Sequence, residues 1–124
     1  MKNIIILAMT ILIGLNYSCS SNILTIHVDN SNAKELQNLN YEVILGDEKI
    51  INSFIGYEKK TPSYSVFEIK KNNENSISVI VDNEIIGSTT LKNDTNYLFI
   101  SIFKDETGLF KVYFLESKDK IRHA

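Results

Sequence analysis

Cysteine occurs once in these 124 residues, at Cys19, proline once, at Pro62, and tryptophan not at all. A single cysteine forms no internal disulfide, so the fold must be held by a core. Nor does it supply the clustered thiolates of a structural zinc site. Histidine is nearly as scarce, with only His27 and His123, which leaves little material for acid–base chemistry. The five glycines are scattered, so there is no glycine-rich phosphate loop. Neither sign of charge dominates: Lys and Arg total 13, Asp and Glu 15. That balance provides no electrostatic footprint for nucleic acid. The pairs Lys59-Lys60 and Lys70-Lys71 are too sparse to change this and suit solvated loop ends.

The N-terminus is unlike the rest. Lys2 is followed by an apolar run from Ile4 to Leu15, and then by Asn16-Tyr17-Ser18-Cys19-Ser20-Ser21. A positive start, a short apolar stretch and a small residue at the cut define a secretory signal. The run is too short to span a bilayer, which takes about 20 residues, and Thr10 and Gly14 interrupt it. The segment resembles the type II signal of bacterial lipoproteins, with Ser18 and Cys19 in place and Leu15 one position early. Asn16 and Tyr17 depart from that pattern. The resemblance implies a signal peptide over 1–18, a lipidated Cys19 as first mature residue, and a tether over 19–22. It also implies a diacylglyceryl and acyl anchor and no other cofactor. Two or more chains hold a protein firmly where one does not. Ser20 agrees with sorting to the outer membrane in that family. Without Lys2 the mature chain has 12 basic and 15 acidic residues, a net charge of −3.

Downstream, the hydrophobic pattern has period 2 and nowhere a sustained helical period. Strands are expected at Ile23–Val28, Tyr41–Leu45, Lys49–Ile55, Tyr64–Ile69, Ser76–Val81, Glu84–Leu91, Tyr97–Phe103 and Leu109–Leu115. Glu35–Leu39 has room for one helical turn but is too short to assign as a helix. Gly46-Asp47, Asp82-Asn83 and Lys104–Gly108 carry turn chemistry, because Gly, Asn and Asp tolerate positive φ. Gly87 inside a strand marks a bulge or a close backbone approach. Short strands with frequent turns predict an all-β fold, a small antiparallel sandwich of about 7–8 strands over 23–117. A cleavable signal helix precedes it and a charged flexible tail over 118–124 follows.

Leu91, Asp94, Thr95 and Tyr97 resemble the turn before the penultimate strand of fibronectin type III and immunoglobulin-like domains. In those domains the tyrosine bonds back to the turn. A transthyretin-like sandwich fits the same strand count.

Candidate sites are few. His27 and Asp29 share a strand face at i and i+2, but no third partner completes a catalytic set, and His123 lies in the tail. Cys19 is consumed by lipid in this reading, so no thiol nucleophile remains. The doublets Asp47-Glu48 and Asp105-Glu106 lack the further oxygen ligands that calcium takes. No catalytic or metal-ligating residue is assigned. The last hairpin is the exception to the two-sided pattern. Leu98, Ile100 and Ile102 occupy one face of its first strand, and Tyr97, Phe99, Ser101 and Phe103 the other. With Tyr113 from the return strand, Tyr97, Phe99 and Phe103 form an aromatic face. Either another part of the chain covers it or a partner does. The expectation is a non-enzymatic, lipid-anchored binding or accessory module, its partners the membrane and an envelope protein. The alternative is a structural subunit of an envelope or secretion assembly, docking through that hairpin or a sheet edge.

Overall fold

The computed structural model describes residues 22–36, 38–56 and 64–119. The leader, Cys19, Lys59-Lys60, Pro62 and His123 lie outside them. The described residues form eight strands: β1 (Ile23–Asp29), β2 (Leu39–Leu45), β3 (Glu48–Ile55), β4 (Tyr64–Lys70), β5 (Ser76–Val81), β6 (Glu84–Thr90), β7 (Tyr97–Lys104) and β8 (Phe110–Ser117). They make two four-stranded sheets, in the orders β4-β1-β7-β8 and β3-β2-β5-β6. The all-β sandwich expected from the period-2 pattern is therefore the fold.

One pairing departs from a purely antiparallel arrangement. β1 runs parallel to β7, with Thr25 beside Tyr97 and His27 beside Phe99. Parallel neighbours need a long connection, and here most of the domain lies between them. In the immunoglobulin constant arrangement the first strand pairs with the second. Here β1 pairs with β4 and β7.

The core follows from alternation. Leu24, Ile26 and Val28 of β1 are buried, as are Leu98, Ile100 and Ile102 of β7. From the other sheet come Tyr41, Val43 and Leu45 of β2 and Ile77, Val79 and Val81 of β5. Removing each such side chain from water contributes about 1.5–3 kcal/mol.

The turns use the expected residues. Asp82 and Asn83 both take positive φ, 53° and 65°, the two-residue geometry that matches strand twist. Gly46 sits at φ 63° and Gly108 at φ 82°. Gly87 fulfils both of its readings. The β5–β6 register shifts between Val79 and Ile80, beside it, and a Cβ at Gly87 would collide with Val112 of β8. Its bareness lets β6 close onto β8 across the sandwich.

Strand ends move by one or two residues from expectation in every strand but β5. Leu109 belongs to the turn, and β8 runs on to Ser117. Leu91 lies just beyond β6, with its N–H bonded to the Asn75 carbonyl. Of the segment Glu35–Leu39, Glu35 and Leu36 lie in a turn. Leu36 N–H reaches the Asn32 carbonyl at 3.0 Å, but Asn38 then enters the left-handed region at φ 57°, which asparagine tolerates. Leu39 therefore starts β2.

Candidate functional site

Strand register determines what shares a surface. In the β4-β1-β7-β8 sheet the outward positions of β7 are Tyr97, Phe99, Ser101 and Phe103, between buried neighbours. Across β8 they pair with Ser117, Leu115, Tyr113 and Lys111. The four aromatic residues anticipated from the sequence are thus brought onto one face. Tyr113 and Leu115 are 53% and 45% exposed, and Tyr97, Phe99 and Phe103 are half-buried.

The parallel β1–β7 pairing extends this face beyond the hairpin. His27 stands beside Phe99, and Val66 of β4 stands beside His27. One row across the sheet therefore reads Val66, His27, Phe99, Leu115, largely apolar from edge to edge. The next row reads Tyr64, Asp29, Ser101, Tyr113, with a polar centre between two tyrosines. Tyr64 meets Phe99 edge-on, ring centroids 6.3 Å apart, and tilts over His27 at 6.4 Å. That explains how His27, on an outward position, is only 8% exposed. Val66 itself is 56% exposed. Tyr64, Val66 and Leu115 were not singled out from the sequence. The signal was present in their outward positions on β4 and β8, but only the sheet order places them beside the aromatic hairpin.

The Asp29 carboxylate is engaged by serines. It accepts from Ser31 N–H and Ser31 Oγ, both at 2.8 Å, and from Ser101 Oγ at 3.2 Å. It is engaged as an acceptor that ties β1 to β7 and caps its own turn.

Asp105, of the second acidic doublet, is likewise structural. It accepts from the N–H and hydroxyl of Thr107 and from the N–H of Leu109. The Thr107 hydroxyl holds its carboxyl below the ordinary carboxylate range. Among the described residues no cluster of His, Cys, Asp and Glu gathers for a metal. Lys70 and Lys71 are not a solvated loop end: Lys70 closes β4, and the half-buried Lys71 donates to the Asn96 side chain at 2.6 Å.

The turn before β7 keeps Leu91 and Thr95 buried. Among the described residues it is held by Glu116 of β8, not by Tyr97. The Glu116 carboxylate accepts from Lys92 N–H at 2.9 Å and from the Thr95 hydroxyl at 3.0 Å. The first tail residues are also tied down: the Asn96 side chain donates to the Lys118 carbonyl at 3.1 Å. A cleft of about 260 Å³ opens beside this turn, floored by Leu24, Leu45 and Leu91. It marks the end of the sandwich where β1 begins.

No described helix is long and apolar enough to cross a membrane. No model of a known protein family matches the chain, and no curated protein matches its sequence.

Proposed function

We propose that this chain is an exported lipoprotein, held in a bacterial envelope by lipid on Cys19, whose sandwich is a non-enzymatic binding or accessory module. The observation that carries the reading is the outer face of the β4-β1-β7-β8 sheet, where aromatic and apolar side chains flank a polar centre at Asp29 and Ser101. A sheet with one wet side ordinarily alternates apolar and polar, and an open face of this composition is suited to a partner. The anchor reading adds a position. β1 starts at Ile23, so the tether from Cys19 spans at most about 14 Å and keeps the domain against the membrane. Ser20 favours the outer membrane. The absence of enzymatic activity is part of the proposal, supported by the engaged Asp29 carboxylate and by the use of Cys19 for lipid.

Of the two sandwich resemblances, strand order favours the transthyretin-like one, since β1 does not pair with β2 as it does in the immunoglobulin arrangement. The same open face favours a second reading, a structural subunit that docks on an envelope assembly.

Two experiments test this. Palmitate labelling of the full chain and of Cys19→Ala checks the anchor: label on the first and none on the second is expected. An unlabelled, soluble parent chain overturns it. Pull-down from detergent-solubilised envelope separates the roles. One stoichiometric protein lost in Tyr113→Ser supports the assembly subunit. Retained glycan or peptide without protein supports the binding module.

A further inference from the structure

We propose that the outer face of the β4-β1-β7-β8 sheet pairs with the same face of a second copy of this chain, about a two-fold axis parallel to the strands. The inference rests on the reading of that face as a docking surface and names its partner.

The rows across the sheet carry the argument. From the β4 edge to the β8 edge they read Tyr64, Asp29, Ser101, Tyr113, then Val66, His27, Phe99, Leu115, then Glu68, Thr25, Tyr97, Ser117. The first two rows read alike from either edge: tyrosines outside a polar pair, then aliphatic chains outside two rings. In an isologous contact residue i meets j while j meets i. An axis between β1 and β7 therefore lays β4 over β8 of the second copy, and β1 over its β7. Tyr64 then meets Tyr113, Val66 meets Leu115, and Asp29 meets Ser101. Tyrosine falls on tyrosine, aliphatic on aliphatic and polar on polar. Sheets that pack face to face keep their strands within about 30° of each other, which such an axis satisfies.

Neither charge nor desolvation opposes this contact. The outward positions hold Asp29, Glu68, Lys70 and Lys111, which balance in sign, so identical faces do not repel. Burying a charge is costly unless it is hydrogen-bonded. Asp29 already accepts from Ser31 N–H, Ser31 Oγ and Ser101 Oγ, so it enters the contact with its oxygens engaged.

Size and position point to a pair held in one membrane. Four strands about 4.8 Å apart, the longest of eight residues at about 3.4 Å each, outline roughly 500 Å². A standard stable interface buries about 800 Å² per partner, so the contact is weak between free chains. Chains tethered in one bilayer meet at a raised effective concentration. The direction of the axis follows from the same constraint. An axis parallel to the strands sends both β1 starts towards one bilayer. An axis across the strands would send them to opposite ends of a face about 27 Å long, which a tether of about 14 Å does not span.

The test is cross-linking of the full chain, reconstituted in phosphatidylethanolamine–phosphatidylglycerol vesicles, with a short bifunctional maleimide. Lipid blocks Cys19 in this reading, and the parent chain sets the baseline. Val66 and Leu115 are exposed on opposite edges of the sheet. Val66→Cys alone and Leu115→Cys alone are expected to give no dimer, and their mixture is expected to give it. Thr25→Cys, next to the axis, is expected to cross-link by itself. Tyr113→Glu on the Leu115→Cys chain is expected to weaken pairing about tenfold, whereas Ser88→Glu on the other sheet leaves it unchanged. No dimer in the mixture overturns the proposal. So does dimer in the mixture without dimer in Thr25→Cys, which places the copies edge to edge. Capture of an envelope protein by the face without these cross-links overturns the second copy as partner and leaves the docking reading standing. A chain that stays out of the vesicles marks failure of the anchor alone, and the same cross-linking at about 1 mM in solution then decides the pairing.

Discussion

On β7 the outward positions hold Tyr97, Phe99, Ser101 and Phe103, whereas on β5 they hold Ser76, Ser78 and Ile80. Both strands bury every second residue, so inward alternation alone does not distinguish them. The outward residues do. On the β3-β2-β5-β6 sheet two outward pairs are polar: Ser78 and Ser88 share a hydrogen bond of 2.9 Å, and Glu42 meets Lys49. On the β4-β1-β7-β8 sheet they are rings and aliphatic chains with a polar row at Asp29 and Ser101. Equal burial of the two inner faces builds the sandwich. The outer faces, by contrast, differ in composition from one sheet to the other.

If the inner faces are equivalent halves of one core, breaking either should unfold both. Ile77 and Ile100, one from each sheet, are completely buried. Ile77→Ala and Ile100→Ala should each cost about 2–5 kcal/mol, the transfer and cavity cost of such a truncation. Urea denaturation should remain a single transition in both. Two separated transitions would mean that the sheets are independent layers.

How far this comparison was legible in the sequence is instructive. The period-2 pattern placed Leu98, Ile100 and Ile102 on one side of the hairpin and the aromatic residues on the other. The chemistry of Asp82-Asn83 and Gly46 placed two turns. Alternation, however, says which residues share a face and not which strands are neighbours. Nothing in Thr25 or Tyr97 announces that they lie side by side. The alternation of β1 and β4 showed that His27, Val66 and Tyr64 point outward, but only the sheet order places them beside the aromatic hairpin. The Glu116 latch had no local signal, because its partners Lys92 and Thr95 are 24 and 21 positions away. Gly87 is the intermediate case. Its oddity inside a strand was visible, but the identity of Val112 as the neighbour that requires it was not.

A second prediction contrasts a tyrosine turned inward with those turned outward. Tyr41 is 1% exposed, and burial pushes its hydroxyl up to about 12 despite a hydrogen bond with Ser53. The raised value means that the folded state holds this proton more tightly than the unfolded chain, which releases it near pH 10. Stability from this source is complete below pH 10 and falls away as pH rises towards 12. The loss should reach about 2–3 kcal/mol, since each pKa unit corresponds to about 1.4 kcal/mol. Tyr41→Phe should flatten the alkaline limb of the stability–pH curve between these values. An unchanged limb would place the sensitivity elsewhere.

Next in size is the latch at the edge of the aromatic sheet. Glu116→Ala removes two charge-assisted bonds from the turn before β7 and should cost about 1–2 kcal/mol. Amide exchange should rise at Lys92 and Thr95 but stay protected at Ile77 and Val79 in the other sheet. Faster exchange throughout would show that the turn is part of the global unfolding unit.

The smallest effect on stability, and the sharpest on function, separates the outer faces themselves. Tyr113 is 53% exposed on β8, and Tyr113→Ser should leave the thermal midpoint within about 2 °C of the parent, as surface changes usually do. Phe99 packs edge-on against Tyr64, so Phe99→Ser should lower the midpoint further. Such an aromatic pair is worth about 0.5–1.5 kcal/mol beyond its area. If the face is a docking surface, both variants lose the envelope partner despite these different stabilities. If instead capture fails only in Phe99→Ser, in proportion to its lost stability, the face serves the fold and Tyr113 has no part in binding. Ser88→Ala on the opposite sheet supplies the control. It breaks the Ser78 bond at a similar small cost and should leave capture intact, because the polar face takes no part in that contact.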